Sequence, residues 1–188
     1  MRNEVWQYLP EWHPGEDYTK NYAARTDLGG GAILSLIHEI DYPQWLFGKV
    51  SSIYCTGGHI SDLQIDVEDV AKISMVFDSG LVADIHLDYL QRPPARNLKV
   101  ICEKGKIEWD YFSGKVYIYR HDQKTVQELC EPNGFERNTM FQDEITHFIN
   151  VINGKEAPVV SLENAIYSLR LALAAKESLE RKTPIVIS

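Results

Sequence analysis

An α+β fold is predicted for this sequence: a large, mostly antiparallel (mixed) open-faced sheet with helices packed on one face. Three observations carry the prediction. An apolar, helix-like segment lies at 31–47, the stretch from Val50 to about Leu129 changes to a period of two broken by tight turns, and two helical patterns close the chain. Roughly five to eight strands are expected, and the second face of such a sheet must be wet or covered by another subunit. At 188 residues the chain is long enough to bury a core as one domain, with or without a small appendage.

Taken in order, residues 3–9 read as a short strand and 10–28 as a loop holding Pro10, Pro14, Gly15, Trp12, Tyr18 and Tyr22. Residues 31–47 read as one helix. Ile33, Leu34, Ile37 and Ile40 make it apolar on most sides, which implies deep burial, and Gly48 is its stop. Val50–Thr56 is a strand. Residues 67–77, the turn Asp78-Ser79-Gly80 and residues 81–90 form a hairpin whose second arm alternates apolar and polar residues. Strands at Leu98–Glu103, Lys106–Tyr111 and Lys115–Arg120 are joined by Lys104-Gly105 and Ser113-Gly114, and Thr125–Leu129 is a further candidate. Residues 138–152 place Met140, Phe141, Ile145, Phe148 and Ile149 at helical spacing. Ser161 caps a last helix running to about Arg181, with Glu163 at N2 and not at the N3 of a capping box. Ile185–Ile187 is a candidate edge strand. The aromatics Tyr54, Phe77, Tyr89, Trp109, Tyr111, Phe112, Tyr117 and Tyr119 in the strand region favour a subunit contact.

Composition excludes several classes. A net charge of −8 offers no basic face for nucleic acid. It does not exclude an anionic substrate, because a local pocket can be positive. Cys55, Cys102 and Cys130 are odd in number and widely spaced, so neither a disulfide framework nor a zinc site is indicated, and reduced thiols imply a cytoplasmic protein. The N-terminus lacks a signal-peptide core, and no apolar run has the length of a membrane span. There is no GxGxxG, no Walker loop and no Gly-x-Ser-x-Gly elbow, so no complete catalytic kit is present.

The run Gly29-Gly30-Gly31 leading into an apolar helix that carries His38, Glu39 and Asp41 is the most informative segment. A histidine ring exchanges protons near neutral pH, as general acid–base catalysis requires. Asp41, three residues on, could orient that ring or bind a hydroxylated ligand. The alternative is a buried histidine satisfied by a backbone carbonyl. The glycines suit close approach of a ligand or neighbouring domain, or simply a turn. His38-Glu39-Ile40-Asp41-Tyr42 lacks the second histidine of an HExxH zinc motif. Arg92, ahead of Pro93 and Pro94 at a sheet rim, could clamp a carboxylate or phosphate with a tyrosine, or could be a solvated surface arginine. Tyr8, Trp12 and His13 suit either sugar stacking or a small cap over the core.

Residues Gly29 to Asp41, followed by Tyr42-Pro43-Gln44-Trp45-Leu46-Phe47-Gly48, resemble the GGGxxxD…HxxD helix of the glucose–fructose oxidoreductase/inositol dehydrogenase/rhizopine-catabolism (Gfo/Idh/MocA) family. Gln7-Tyr8-Leu9-Pro10-Glu11-Trp12-His13-Pro14, Leu87-Asp88-Tyr89-Leu90-Gln91-Arg92 and Glu136-Arg137-Asn138 are similar to one branch of it, and the resemblance spans nearly the whole chain. It implies a fold like the C-terminal domain of glucose–fructose oxidoreductase. It also implies that residues 1–188 form a single C-terminal substrate-binding and oligomerisation domain, with the N-terminal Rossmann domain that binds NAD or NADP absent. His38 matches the family histidine that partners the Rossmann-domain lysine in hydride chemistry, and Asp41 the later aspartate. Ser35 stands in place of the family's other aspartate, and its spacing to His38 is one residue shorter.

The leading expectation is therefore a substrate-binding and dimerising half of an NAD(P)-dependent oxidoreductase acting on a sugar or sugar derivative, inactive alone. His38 is expected to be catalytic. Tyr8, Trp12, Ser35, Glu39, Asp41, Arg92 and Asn138 are expected to bind substrate, with no cofactor or metal bound to this chain. A homodimer or higher oligomer through the sheet face is expected, with no nucleic-acid or membrane partner. The competing reading is a non-catalytic binding or assembly module of the same fold, and a metal-dependent hydrolase would need ligands the sequence does not supply.

Overall fold

The structure, a computed structural model, describes residues 1–187. Its strands are β1 (Arg2–Trp6), β2 (Val50–Gly58), β3 (Val70–Phe77), β4 (Val82–Asp88), β5 (Ala95–Cys102), β6 (Gly105–Asp110), β7 (Lys115–Arg120), β8 (Gln127–Cys130) and β9 (Ile185–Val186). All nine form one sheet in the order β8-β7-β6-β5-β1-β4-β3-β2-β9. That is one strand more than the expected range, because both candidate strands, at 125–129 and 185–187, join its edges. The pairing of β1 with β4 is parallel and every other pairing is antiparallel.

Strand alternation decides which face is core. On β3, Ala71, Ile73, Met75 and Phe77 point inward and are buried; on β4, Ala83, Ile85 and Leu87 are fully buried. Lys72, Ser74, Asp84 and His86 alternate with them on the outer face. Helix α4 (Leu162–Arg181) covers this inner face with Leu171, Ala172 and Ala175. Its small residues let the helix lie close to β2, where the Ser178 hydroxyl accepts from the Cys55 backbone N–H at 2.9 Å. Truncating Ile85 or Leu87 to alanine would cost roughly 2–5 kcal/mol. Ser161 Oγ accepts from Asn164 N–H at 3.2 Å, the cap the sequence indicates.

The expected helix at 31–47 is two helices. α1 (Ala32–Ser35) ends at Leu36, whose φ of −108° and ψ of 29° leave the helical region, and α2 (His38–Phe47) starts afresh. The break turns α2 so that Ile40 enters the core while His38 stays exposed. Segment 10–28 is irregular as expected, carrying four single turns of 3-10 helix.

The core is lopsided. It fills the space under β1–β4, whereas no residue of β6 to β8 is fully buried. Helix α3 (Arg137–Ile152) has no buried residue, and Phe141, Ile145, Phe148 and Ile152 are exposed, as are Leu162, Ile166 and Leu169 at the start of α4. The strand-region aromatics divide. Phe77 and Tyr89 are buried inside and Trp109 faces Tyr42 of α2, so only part of that set is available to an outer-face contact.

Candidate functional site

The glycine run is packed against the protein itself. A Cβ on Gly30 would lie 2.3 Å from the Tyr22 carbonyl oxygen and 2.8 Å from those of Ala23 and Arg25. A Cβ on Gly31, which has φ +106°, would lie 2.3 Å from a carboxylate oxygen of Glu68. That carboxylate accepts from Ile33 N–H at 3.1 Å, and Lys176 Nζ sits 3.3 Å from its other oxygen. The first turn of α1 therefore already holds an anion from its own chain. A dinucleotide pyrophosphate does not fit there, because it would meet a buried carboxylate and not free N–H groups.

Helix α2 is pinned to the sheet by a buried polar network. Pro43 has no N–H, so the Glu39 carbonyl loses its partner four residues on. Asn3 of β1, fully buried, donates its Nδ2 to that carbonyl at 3.0 Å. The Tyr42 hydroxyl contacts both Asn3 Oδ1 and Glu39 Oε2. Arg96 of β5 completes the set: its Nε lies 2.6 Å from Glu39 Oε1, and its guanidinium lies 5.4–5.8 Å from the ring centres of Tyr42, Trp109 and Tyr111. Burial raises the Glu39 carboxyl above its ordinary range, and Arg96 and Tyr42 oppose that only in part. Burial, then the neighbouring Glu39, also pushes the Tyr42 hydroxyl up.

This network floors a groove of about 310 Å³ between α2, the rim of the sheet and the start of α3. His38 and Glu39 come from α2, Gln7 from the segment after β1, Tyr111 and Phe112 from the turn after β6, and Arg137 from α3. His38 is exposed, and neither its ring nor the Arg137 guanidinium has a hydrogen-bond or ion-pair partner among the described residues. The one carboxylate lining the groove, Glu39, is paired with Arg96. The arrangement can therefore offer an accessible imidazole for proton exchange beside an unpaired cation and aromatic edges.

The other residues singled out in the sequence lie elsewhere. Asp41 faces α4, where it accepts from Ser168 Oγ and from Gln44 Nε2 at 3.3 Å; the structure does not bring it to His38. Ser35 Oγ is buried without a well-formed hydrogen bond, although it abuts the buried Tyr89 hydroxyl. Trp12 packs edge-on against Tyr89, with centroids 5.2 Å apart, and donates to the Gln7 carbonyl at 3.2 Å. Arg92 is engaged: its Nε lies 2.6 Å from Glu11 Oε1 and its guanidinium stacks 3.3 Å from the centre of the Tyr8 ring. Asn138 is exposed beside Arg137 at the start of α3. The sequence reading missed Arg137, Arg96, Gln7 and Tyr111. Nothing local in the Glu136-Arg137-Asn138 run marks Arg137 out, because its place in the groove depends on where the fold sets the start of α3.

Other chemistry finds little footing. Burial, with Glu68 nearby, pushes the Cys55 thiol up to about 12, so it is no nucleophile at neutral pH. Among the described residues no group of three or more His, Cys, Asp or Glu is placed to hold a metal ion. No helix among them is long and apolar enough to cross a membrane. A second groove, of about 380 Å³, crosses the outer sheet face, but both of its cations are taken by its own acids: Arg2 by Glu4, and Lys99 by Glu108 at 2.7 Å. Lys99 and Lys106 hold the Glu108 carboxyl down to about 2.

Sheet order, helix placement and the chain's similarities agree on a class. The model of the GFO/IDH/MocA C-terminal domain matches residues 2–108, and the chain belongs to that oxidoreductase family. Levoglucosan dehydrogenase, solved with NADH and levoglucosan, superposes with a TM-score of 0.82 at 15% identity over 99% of this chain and 57% of its own. UDP-N-acetylglucosamine 3-dehydrogenase GnnA from Acidithiobacillus ferrooxidans gives 0.73 at 18% over 96% of this chain and 53% of its own. GenD2 from gentamicin A biosynthesis, solved with NAD, gives 0.76 at 16% over 100% and 54%. At these identities the likeness is one of fold, and the chain spans just over half the length of each. No curated protein matches the sequence.

Proposed function

We propose that this chain is the substrate-binding half of an NAD(P)-dependent oxidoreductase acting on a sugar or sugar derivative. The observation that carries the reading is the groove, which presents an accessible, unpartnered His38 beside a rigid floor, on a domain whose glycine run is filled by Glu68. The nicotinamide cofactor, which would supply hydride acceptance, must then be held by a domain outside these residues. The exposed apolar residues of α3 and early α4 give such a domain a surface to rest on. His38 takes or returns the proton of the reacting hydroxyl. Glu39 and Arg96 keep α2 at a fixed distance from the sheet, and Gln7 and Tyr111 flank the sugar. A second copy of the chain docks on the outer sheet face, and the protein works in the cytoplasm. His38→Ala, in a protein that includes the cofactor half, should lower kcat by roughly a hundredfold while leaving the melting temperature unchanged, because the ring is exposed. An unchanged kcat removes His38 from the chemistry.

One observation favours the alternative of a non-catalytic binding module. Ser35 brings no carboxylate to the position the resemblance gives to an acid, and its hydroxyl is buried. Sugar binding without turnover, when a cofactor-binding partner is supplied, would support that reading.

A further inference from the structure

We infer that the ligand of the His38 groove is an anionic sugar, one bearing a carboxylate or a phosphate, and that Arg137 is the residue that selects it. The inference rests on the groove being the sugar site. It starts from charge. The chain as a whole carries a net charge of −8, yet this groove has no unpaired acid. Its single carboxylate is 2% exposed and ion-paired with Arg96 at 2.6 Å, so the two cancel. What remains is the Arg137 guanidinium, with His38 beside it.

Arg137 differs from most of the other arginines, and Arg120, which also lies outside the ion pairs, is on the exposed end of β7 and not in a groove. Arg2, Arg25, Arg92, Arg96 and Arg181 each lie within salt-bridge distance of a carboxylate of this chain, at 2.6 Å for Arg25, Arg92 and Arg96 and 3.0 Å for Arg181. Arg137 has no such partner among the described residues and lines a concavity with Gln7 and Phe112. A planar fork of N–H donors matches a carboxylate or phosphate with two parallel hydrogen bonds, and a neutral hydroxyl cannot use that geometry. Arg92, which the sequence nominated for this task, is already held by Glu11 and Tyr8. The outer-face groove makes the contrast, being larger but with both of its cations held by its own acids and Asp110 left over as a further acid.

The test is isothermal titration of the chain with D-glucuronate, D-glucose 6-phosphate and D-glucose at low ionic strength, repeated with Arg137→Gln. Arg137 is exposed and unpartnered, so the variant should melt with the parent. The inference predicts that glucuronate or glucose 6-phosphate binds about tenfold or more tightly than glucose, and which one does so tells carboxylate from phosphate. In Arg137→Gln that preference should collapse to within about twofold while glucose affinity stays put, and added salt should weaken the anionic sugar alone. Equal binding of all three sugars overturns the inference and leaves the sugar-site reading intact. So does a preference that survives in Arg137→Gln. Failure of all three sugars to bind overturns both.

Discussion

Asn3→Leu is the perturbation that most sharply probes how α2 is held. Asn3 is fully buried and makes two hydrogen bonds, from Nδ2 to the Glu39 carbonyl at 3.0 Å and to Oδ1 from the Tyr42 hydroxyl. Leucine fills the space but removes both, and it strands the Glu39 carbonyl because Pro43 cannot donate to it. Losing the bonds and leaving one buried acceptor unsatisfied costs about 2–4 kcal/mol. In a domain of this size each kcal/mol moves Tm by roughly 2–4 °C, so a drop of roughly 5–15 °C is expected. The mechanism makes a second, more specific demand. Pro43→Ala restores an N–H that can reach the Glu39 carbonyl, so in the Asn3→Leu background it should return about 1–2 kcal/mol, while in the parent it should return much less. Urea denaturation of the four proteins of this double-mutant cycle measures the coupling. Additive effects, or an Asn3→Leu cost below about 0.5 kcal/mol, would refute the idea that Asn3 stands in for the missing helical donor.

Three further predictions follow from other parts of the fold. Gly31→Ala must place a Cβ against the Glu68 carboxylate at φ +106°, so a loss of about 2–4 kcal/mol is expected in denaturant melts, and Glu68→Ala should relieve only the clash and not the backbone strain. For Asp88, burial alone would raise the carboxyl, but hydrogen bonds from His86, Gln91 and the Leu90 N–H outweigh it and hold it below the ordinary range. A depressed folded-state value means its stabilisation is complete above the unfolded value of about 4 and is lost as pH falls through the folded one. The acid limb of Tm against pH should therefore be shallower in Asp88→Asn, and an unchanged limb would assign the acid loss to other groups. If a second copy docks on the outer sheet face, Tyr54→Glu should shift sedimentation towards monomer and Phe148→Glu on α3 should not; the reverse would move the contact to the helices.

The meander from β2 to β8 was legible in the sequence because turns and period-two alternation mark it residue by residue. Ile85 and Leu87 inward, and Asp84 and His86 outward, follow directly from the pattern. The break between α1 and α2 was not legible. No proline or glycine falls at Leu36–Ile37, and the apolar pattern runs straight through. The break is set by tertiary packing, with Glu68 holding one helix and Asn3 the other. At the site, His38 was readable as an ionisable group in an apolar segment. The roles of Arg92 and Arg137 were not, because whether an arginine is free depends on which carboxylates the fold brings near it: Glu11 lies 81 residues from Arg92 in sequence. The packing role of the glycine run was hidden for the same reason. Its demand for space comes from Glu68 and the Tyr22–Arg25 backbone, and no local pattern records those contacts.

We propose that these residues form the sugar-binding half and hold no nicotinamide site. The most direct measurement is a fluorescence titration of the purified chain with NADH and with NADPH. No saturable change up to about millimolar cofactor is predicted, because the glycine-rich start of α1 is filled by Glu68. Saturable binding with a Kd in the micromolar range would contradict the account, and the cofactor site would have to be sought within these residues.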